Sequence, residues 1–218
     1  MLIMNIEKLR LPQVNSASTS PGSSAAGLAR ITQWSGPFAP LVHLLLIGLL
    51  ILSGFRLALV VWQWPRVATT GIVPEILLQG VRADLILLGY FIAVPLLLAP
   101  LLAHARSAGL WRRASVAWTG FALIFIVFME VASPQFIMQY DARPNRLFIE
   151  YLGYPQEVFS TLWHGFRTAL LLGCALTVVL GIALVRLLKR TAAGMTMWPS
   201  RKLLLLWPLL VLLVFVQI

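Results

Sequence analysis

At 218 residues, 60% of them hydrophobic and only 11% charged, the chain falls outside the ordinary soluble domains, which carry about 25% charged residues. A mean hydropathy of +0.89 places it among polytopic membrane proteins. The net charge of +10 would suit a nucleic-acid partner if the cations formed one patch. They sit instead at the ends of apolar runs, where they set orientation and touch anionic headgroups, so no nucleic-acid partner is expected.

In chain order, residues 1–37 contain the Ser/Ala/Gly-rich stretch QVNSASTSPGSSAAG. It offers too little apolar surface to fold and predicts a disordered cytoplasmic tail. It is not a cleavable signal, because the apolar run after it is too long. Apolar runs then predict membrane helices at about 38–64, 85–102, 111–128, 155–188 (its apolar part 168–188) and 203–218. A helix needs roughly 20 residues to cross the hydrocarbon core. The fifth run falls short of that, which predicts that the sequence is the front part of a longer protein with a truncated fifth span. The single cysteine, Cys174, lies mid-span; it excludes an intrachain disulfide and a thiolate metal site and reads as a small packing residue.

Two charged features interrupt the early spans. Arg56 lies inside the first, at a cost of about 2.5–3.5 kcal/mol for a central arginine. Either it snorkels outward or it pairs with Asp84, Glu130 or a lipid phosphate. Arg82 and Asp84 open the second span in GVRADL, where opposite charges suit the interface and Asp84 suits the positive helix end.

Orientation follows from the loops. Lys8, Arg10 and Arg30, then Arg106, Arg112 and Arg113, then Arg186, Lys189, Arg190, Arg201 and Lys202 fall on one side. Arg66, Arg82, Arg143, Arg146 and Arg167 fall on the other, with every acid except Glu7. The positive-inside rule then puts the N-terminus in the cytoplasm and the C-terminus on the opposite side of the membrane.

The longest polar interruption lies between the third and fourth spans. Pro134 and Pro144 each disfavour a continuing helix. PQFIMQYDA between them, and NRLFIEYLG ended by Gly153, read as short helices mixing aromatic, aliphatic and charged residues, as helices lying in a membrane surface do. Pro155 opens the fourth span and Glu157 suits its dipole. This outer platform, about 130–154, places Arg143, Asn145, Arg146 and Glu150 at headgroup depth, with Glu130 at its start. Forked guanidiniums suit lipid phosphate; a salt-bridged surface belt with aromatic anchors is the other reading. His43, His104 and His164 are scattered, so no metal site is expected in this chain, and no zinc spacing, P-loop or nucleophile elbow is present. No catalytic residues are assigned. The fold expected is an all-α integral membrane protein, a five-span helical bundle with short interfacial helices on its outer face.

Residues 140–158, YDARPNRLFIEYLGYPQEV, resemble the N-terminal membrane region of the lipoteichoic acid synthase family. These are phosphoglycerol transferases of the alkaline phosphatase/sulfatase superfamily. The pattern is carried by Arg143, Asn145, Leu147, Phe148, Glu150, Tyr151, Leu152, Tyr154, Glu157 and Val158, and GVRADL is similar to the family's G-x-R-x-D before span two. The resemblance covers about 38–218. It implies five spans followed by an extracytoplasmic domain with a threonine nucleophile and a divalent metal, manganese or magnesium. That domain takes phosphoglycerol from phosphatidylglycerol and passes it to a glycan or polymer acceptor; related phosphoethanolamine transferases share the layout. No catalytic residue or metal ligand of that domain maps onto this chain. What maps is the membrane anchor and its lipid-facing platform. The alternative is a self-standing small polytopic accessory or assembly protein without catalysis. A transporter is disfavoured, since paired broken helices and repeat halves are missing from the sequence.

Overall fold

A lipid-embedded backbone must bond to itself, and all regular structure among the described residues is helical. The computed structural model describes residues 23–141, 143, 150 and 153–217. Its helices are α1 (Ser23–Ser35), α2 (Ala39–Trp62), α3 (Trp64–Ala68), α4 (Val73–Leu102), α5 (Ala108–Tyr140), α6 (Pro155–Gly165), α7 (Arg167–Ala192) and α8 (Ser200–Gln217). Four helical stretches are long and apolar enough to cross a membrane: Arg30–Trp62, Val73–Leu102, Ala108–Tyr140 and Arg167–Ala192. The chain is accordingly a multi-pass membrane protein in its length and composition. The α8 helix is apolar but shorter. In the packing, α4 contacts α2, α5 and α8, and α5 packs along α7. Leu44, Leu88, Leu96, Leu123 and Ile126 fill the shared core.

Several boundaries differ from the expected ones. The predicted tail ends earlier, because Ser23–Ser35 is helical. Thr32 and Ser35 are buried, so the partner that a Ser/Ala/Gly-rich stretch lacks locally is supplied by the bundle. His43 Nδ1 lies 2.6 Å from the Ala39 carbonyl. That oxygen only accepts, so Nδ1 carries the proton and Nε2 is left to accept from the Thr32 hydroxyl, 3.5 Å away. A 3-10 turn, Gly36–Phe38, joins α1 to α2. Gly36 has φ 56°, and a Cβ there would collide with the Trp198 indole, so glycine is required twice over.

The second span starts at Val73, well before residue 85. Pro74 fits the first turn, and Arg82 and Asp84 become interior residues of the helix. The third span does not stop at Pro134. The helix runs on to Tyr140, Phe136 is buried and packs at a tilt against Tyr140 with ring centroids 4.6 Å apart, and Asp141 closes the helix at φ 55° with its N–H bonded to the Ile137 carbonyl at 2.9 Å. Proline removes one hydrogen bond, and packing beyond it outweighs that loss. The separate helix expected after Pro134 is therefore the last turns of α5. The fourth span is broken at Phe166, between Gly165 and Arg167, where φ is −137° and ψ 31°. Cys174, expected to pack, is exposed.

Two prolines inside α4 reveal how the bundle is tied. Pro95 and Pro100 cannot donate to the carbonyls four residues earlier, those of Phe91 and Leu96. Each orphaned carbonyl receives an indole N–H from another helix. Trp118 Nε1 of α5 donates to Phe91 O at 2.8 Å, and Trp207 Nε1 of α8 donates to Leu96 O at 2.8 Å.

Candidate functional site

Charged side chains near the N-terminal half of α4 and the C-terminal part of α5 come together in pairs. Arg56 of α2 donates through Nη2 to Asp84 Oδ1 of α4. Their side chains are only 13% and 5% exposed. The pairing partner left open by the sequence is thus Asp84. The slot for the guanidinium comes from Gly80, one turn before Asp84 on the same face of α4; a Cβ at Gly80 would collide with the Arg56 guanidinium. Gly80 and Asp84 therefore act as a unit, i and i+4. Arg82, between them, is exposed on another face, so it stays apart from the buried pair. Arg56 Nε and Asp84 Oδ2 are buried and have no hydrogen-bond partner among the described residues.

The second pair joins Glu130 of α5 to Arg143. One guanidinium nitrogen, Nη2, bonds both carboxylate oxygens, at 2.9 and 2.6 Å. Glu130 is buried, its side chain 9% exposed, whereas that of Arg143 is 42% exposed. Glu130 also lies near enough to feel the charges of Asp84 and Arg56. The four groups form one neutral cluster, Arg56–Asp84 and Glu130–Arg143, drawn from α2, α4, α5 and the residues after it. It stands towards the N-terminal end of α4 and the C-terminal end of α5.

A third pair lies farther out. Arg66 of α3 forks onto Asp141 at 2.7 and 2.9 Å, and both side chains are largely exposed. The Arg66 hydrogen bonds hold the Asp141 carboxyl below the usual carboxylate range, and Asp141 holds the Arg66 guanidinium above its own. A lowered acid stabilises the folded pair above its ordinary pKa, and that contribution is lost as pH falls through the lowered value. Spin labels at Thr69 and Gln139 should therefore keep one separation from neutral pH down through the ordinary carboxylate range. They should spread only below it. In Asp141→Asn the separation should be broad at every pH.

Glu150 is exposed and helical. Asn145 and Arg146, with Leu147, Phe148, Tyr151 and Leu152 of the same motif, lie outside the described residues. His164 is exposed, its Nδ1 at 2.9 Å from the Ser160 carbonyl. Among the described residues no three His, Cys, Asp or Glu side chains stand together as a metal ion would need, so no step through a metal is derived. The sequence offered Asp84 and Glu130 as partners of Arg56 and singled out Arg143, but did not join Glu130 to Arg143, and it missed Asp141–Arg66 altogether. A count of carboxylates against arginines on the side of the membrane that holds most of the acids was the available signal. No protein-family model matches the chain, and no solved structure matches its fold.

Proposed function

We propose that this chain is the membrane anchor and lipid-headgroup-presenting part of a phosphoglycerol or phosphoethanolamine transferase. It would act on phosphatidylglycerol-type donors at the outer face of a bacterial cytoplasmic membrane. On this reading α8 is a fifth crossing, the N-terminus is cytoplasmic and the polar segment between α5 and α6 lies among outer headgroups. The resemblance over residues 140–158 motivates the reaction class, and the metal-dependent chemistry belongs to a further domain of such a protein.

The observation that favours headgroup binding is the one-sided use of Arg143. Its Nη2 is committed to Glu130, while Nη1 and Nε have no partner among the described residues and the side chain is 42% exposed. A guanidinium anchored at one nitrogen presents its remaining donors in a fixed fork, the geometry that phosphate accepts.

The test uses fluorescent phosphatidylglycerol and manganese with this chain and with the complete reading frame that contains it. Diacylglycerol release by the complete protein and not by these residues alone supports the proposal. Arg143→Lys keeps the charge that neutralises Glu130 but loses the fork. We expect it to lower turnover about tenfold or more, the loss of one charged hydrogen bond at about 1.5–3 kcal/mol, with the bundle intact by circular dichroism. Unchanged turnover in that variant removes Arg143 from the headgroup site.

A second reading, a self-standing accessory or assembly protein, has its own support. The cluster balances two cations with two carboxylates, which is what a purely structural bundle requires. Silence of the complete protein on both phosphatidylglycerol and phosphatidylethanolamine would favour it.

A further inference from the structure

The outer and inner ends of this bundle treat their cations differently. At the outer end Arg56, Arg66 and Arg143 each meet a carboxylate and Arg167 lies over the Trp163 ring, while Arg82 is exposed. At the other end Arg112 and Arg113 begin α5, and Arg186 and Lys189 stand near the end of α7. None of these four is in an ion pair among the described residues. Every described acid lies in the opposite half of its helix or in the segments beyond that half.

These unneutralised cations surround the mouth of a groove. A cleft of about 790 Å³ runs between α5 and α7, walled by Ala117, Phe121, Ile124 and Val185. It continues into a second hollow of about 460 Å³ that shares Ile124, Val185 and Lys189 and reaches down to Thr177. The small residues explain the space. Gly120 and Gly181 let the helices approach until an added Cβ would stand 3.5 Å from Val185 and 3.1 Å from Ile124, and Ala117, Ala192 and Ala193 leave the flank hollow. From Lys189 to Thr177 is about 18 Å along the helix, a little over half of a hydrocarbon core of roughly 30 Å. The groove is therefore one leaflet deep, apolar along its length and cationic at its mouth.

We propose that this groove seats an anionic glycerophospholipid of the leaflet at the basic end. Its acyl chain would lie between Phe121 and Val185, and its phosphate on Arg112, Arg113 and Lys189. A second copy of the chain suits the groove poorly, because it brings its own cations to the same depth. A zwitterionic lipid leaves the cations unneutralised. This site is separate from the outer cluster and does not depend on the function proposed for it.

The test places the chain in phosphatidylcholine nanodiscs containing a trace of acyl-spin-labelled phosphatidylglycerol or phosphatidylcholine. The immobilised fraction of each is compared. The native chain should immobilise the anionic probe several-fold more than the neutral one. In R112Q/R113Q/K189Q that preference should fall to near parity, since each Lys or Arg near the surface contributes up to about fivefold. Ala117→Phe keeps every charge but fills the groove, and should release the anionic probe as well. Charge-preserving R112K/R113K/K189R and the off-groove control R30Q/R106Q should keep the preference, which separates the effect from misfolding. Loss in the charge variant without loss in Ala117→Phe means diffuse surface attraction and overturns the seat. Equal immobilisation of the two probes by the native chain, or a preference untouched by every variant, overturns it too.

Discussion

Asp84→Asn is expected to destabilise the bundle by about 3–5 kcal/mol, the usual cost of stranding one member of a buried ion pair. The Arg56 guanidinium would keep its charge in a slot where its partner was only 5% exposed, because arginine does not deprotonate in proteins. Arg56→Met should cost less, since a stranded carboxyl can neutralise by taking up a proton. The double replacement R56M/D84L should recover most of the loss, because apolar residues of similar volume replace a buried pair at little net cost. Gly80→Leu should resemble Asp84→Asn, for it fills the space that the guanidinium occupies. Reversible unfolding in mixed micelles gives the comparison. A cost below about 1 kcal/mol for Asp84→Asn, the value of an exposed pair, would mean that Arg56 reaches water by itself.

The second large effect concerns the indoles. Trp118→Phe and Trp207→Phe keep an aromatic ring but remove the N–H that meets a proline-orphaned carbonyl. Each should cost about 1–3 kcal/mol, the penalty of a buried acceptor left without a donor. The decisive comparison is with a restored backbone donor. In W118F/P95A the alanine N–H can bond Phe91 O, and in W207F/P100A it can bond Leu96 O. Both double variants should be more stable than the corresponding single tryptophan variants. Additive behaviour in a double-mutant cycle would show that indole and proline are not coupled through the carbonyl. Loss of Trp207 should in addition loosen α8 from α4, read as faster amide exchange in α8 alone.

The helical class and the approximate places of the spans were legible because lipid demands long apolar runs. Arg56 was legible as a residue needing a partner, and Asp84 was among the choices. The limits of the helices were less so. Charged residues at 82 and 84 and a proline at 134 look like boundaries when only local propensity is weighed, yet Asp84 is absorbed by a partner on α2, Arg82 faces outward from the bundle, and the proline is offset by packing at Phe136. The break at Phe166 lies in a run whose composition gives no sign of it beyond Gly165. The helix at Ser23–Ser35 depends on contacts with distant segments, which a window of sequence does not contain. In the site, Glu130 and Arg143 were each visible, but their pairing depends on α5 continuing far enough to bring the chain after Tyr140 back to Glu130. Pro95 and Pro100 announced two carbonyls in need of donors, and a search for tryptophans on neighbouring spans could have supplied them.

The Arg56–Asp84 pair also sets a timetable for biogenesis. Arg56 leaves the ribosome 28 residues ahead of Asp84, an interval of roughly 1–6 s at about 5–20 residues per second. During it α2 carries a guanidinium whose partner has not been synthesised, and its remaining leucines must hold it in the bilayer against that charge. The nascent α2 therefore sits shallow, or stays beside the translocon, until α4 arrives with Asp84 and Gly80. Only then does α2 settle to its final depth, so the first long apolar helix to be made is not the first to be finished.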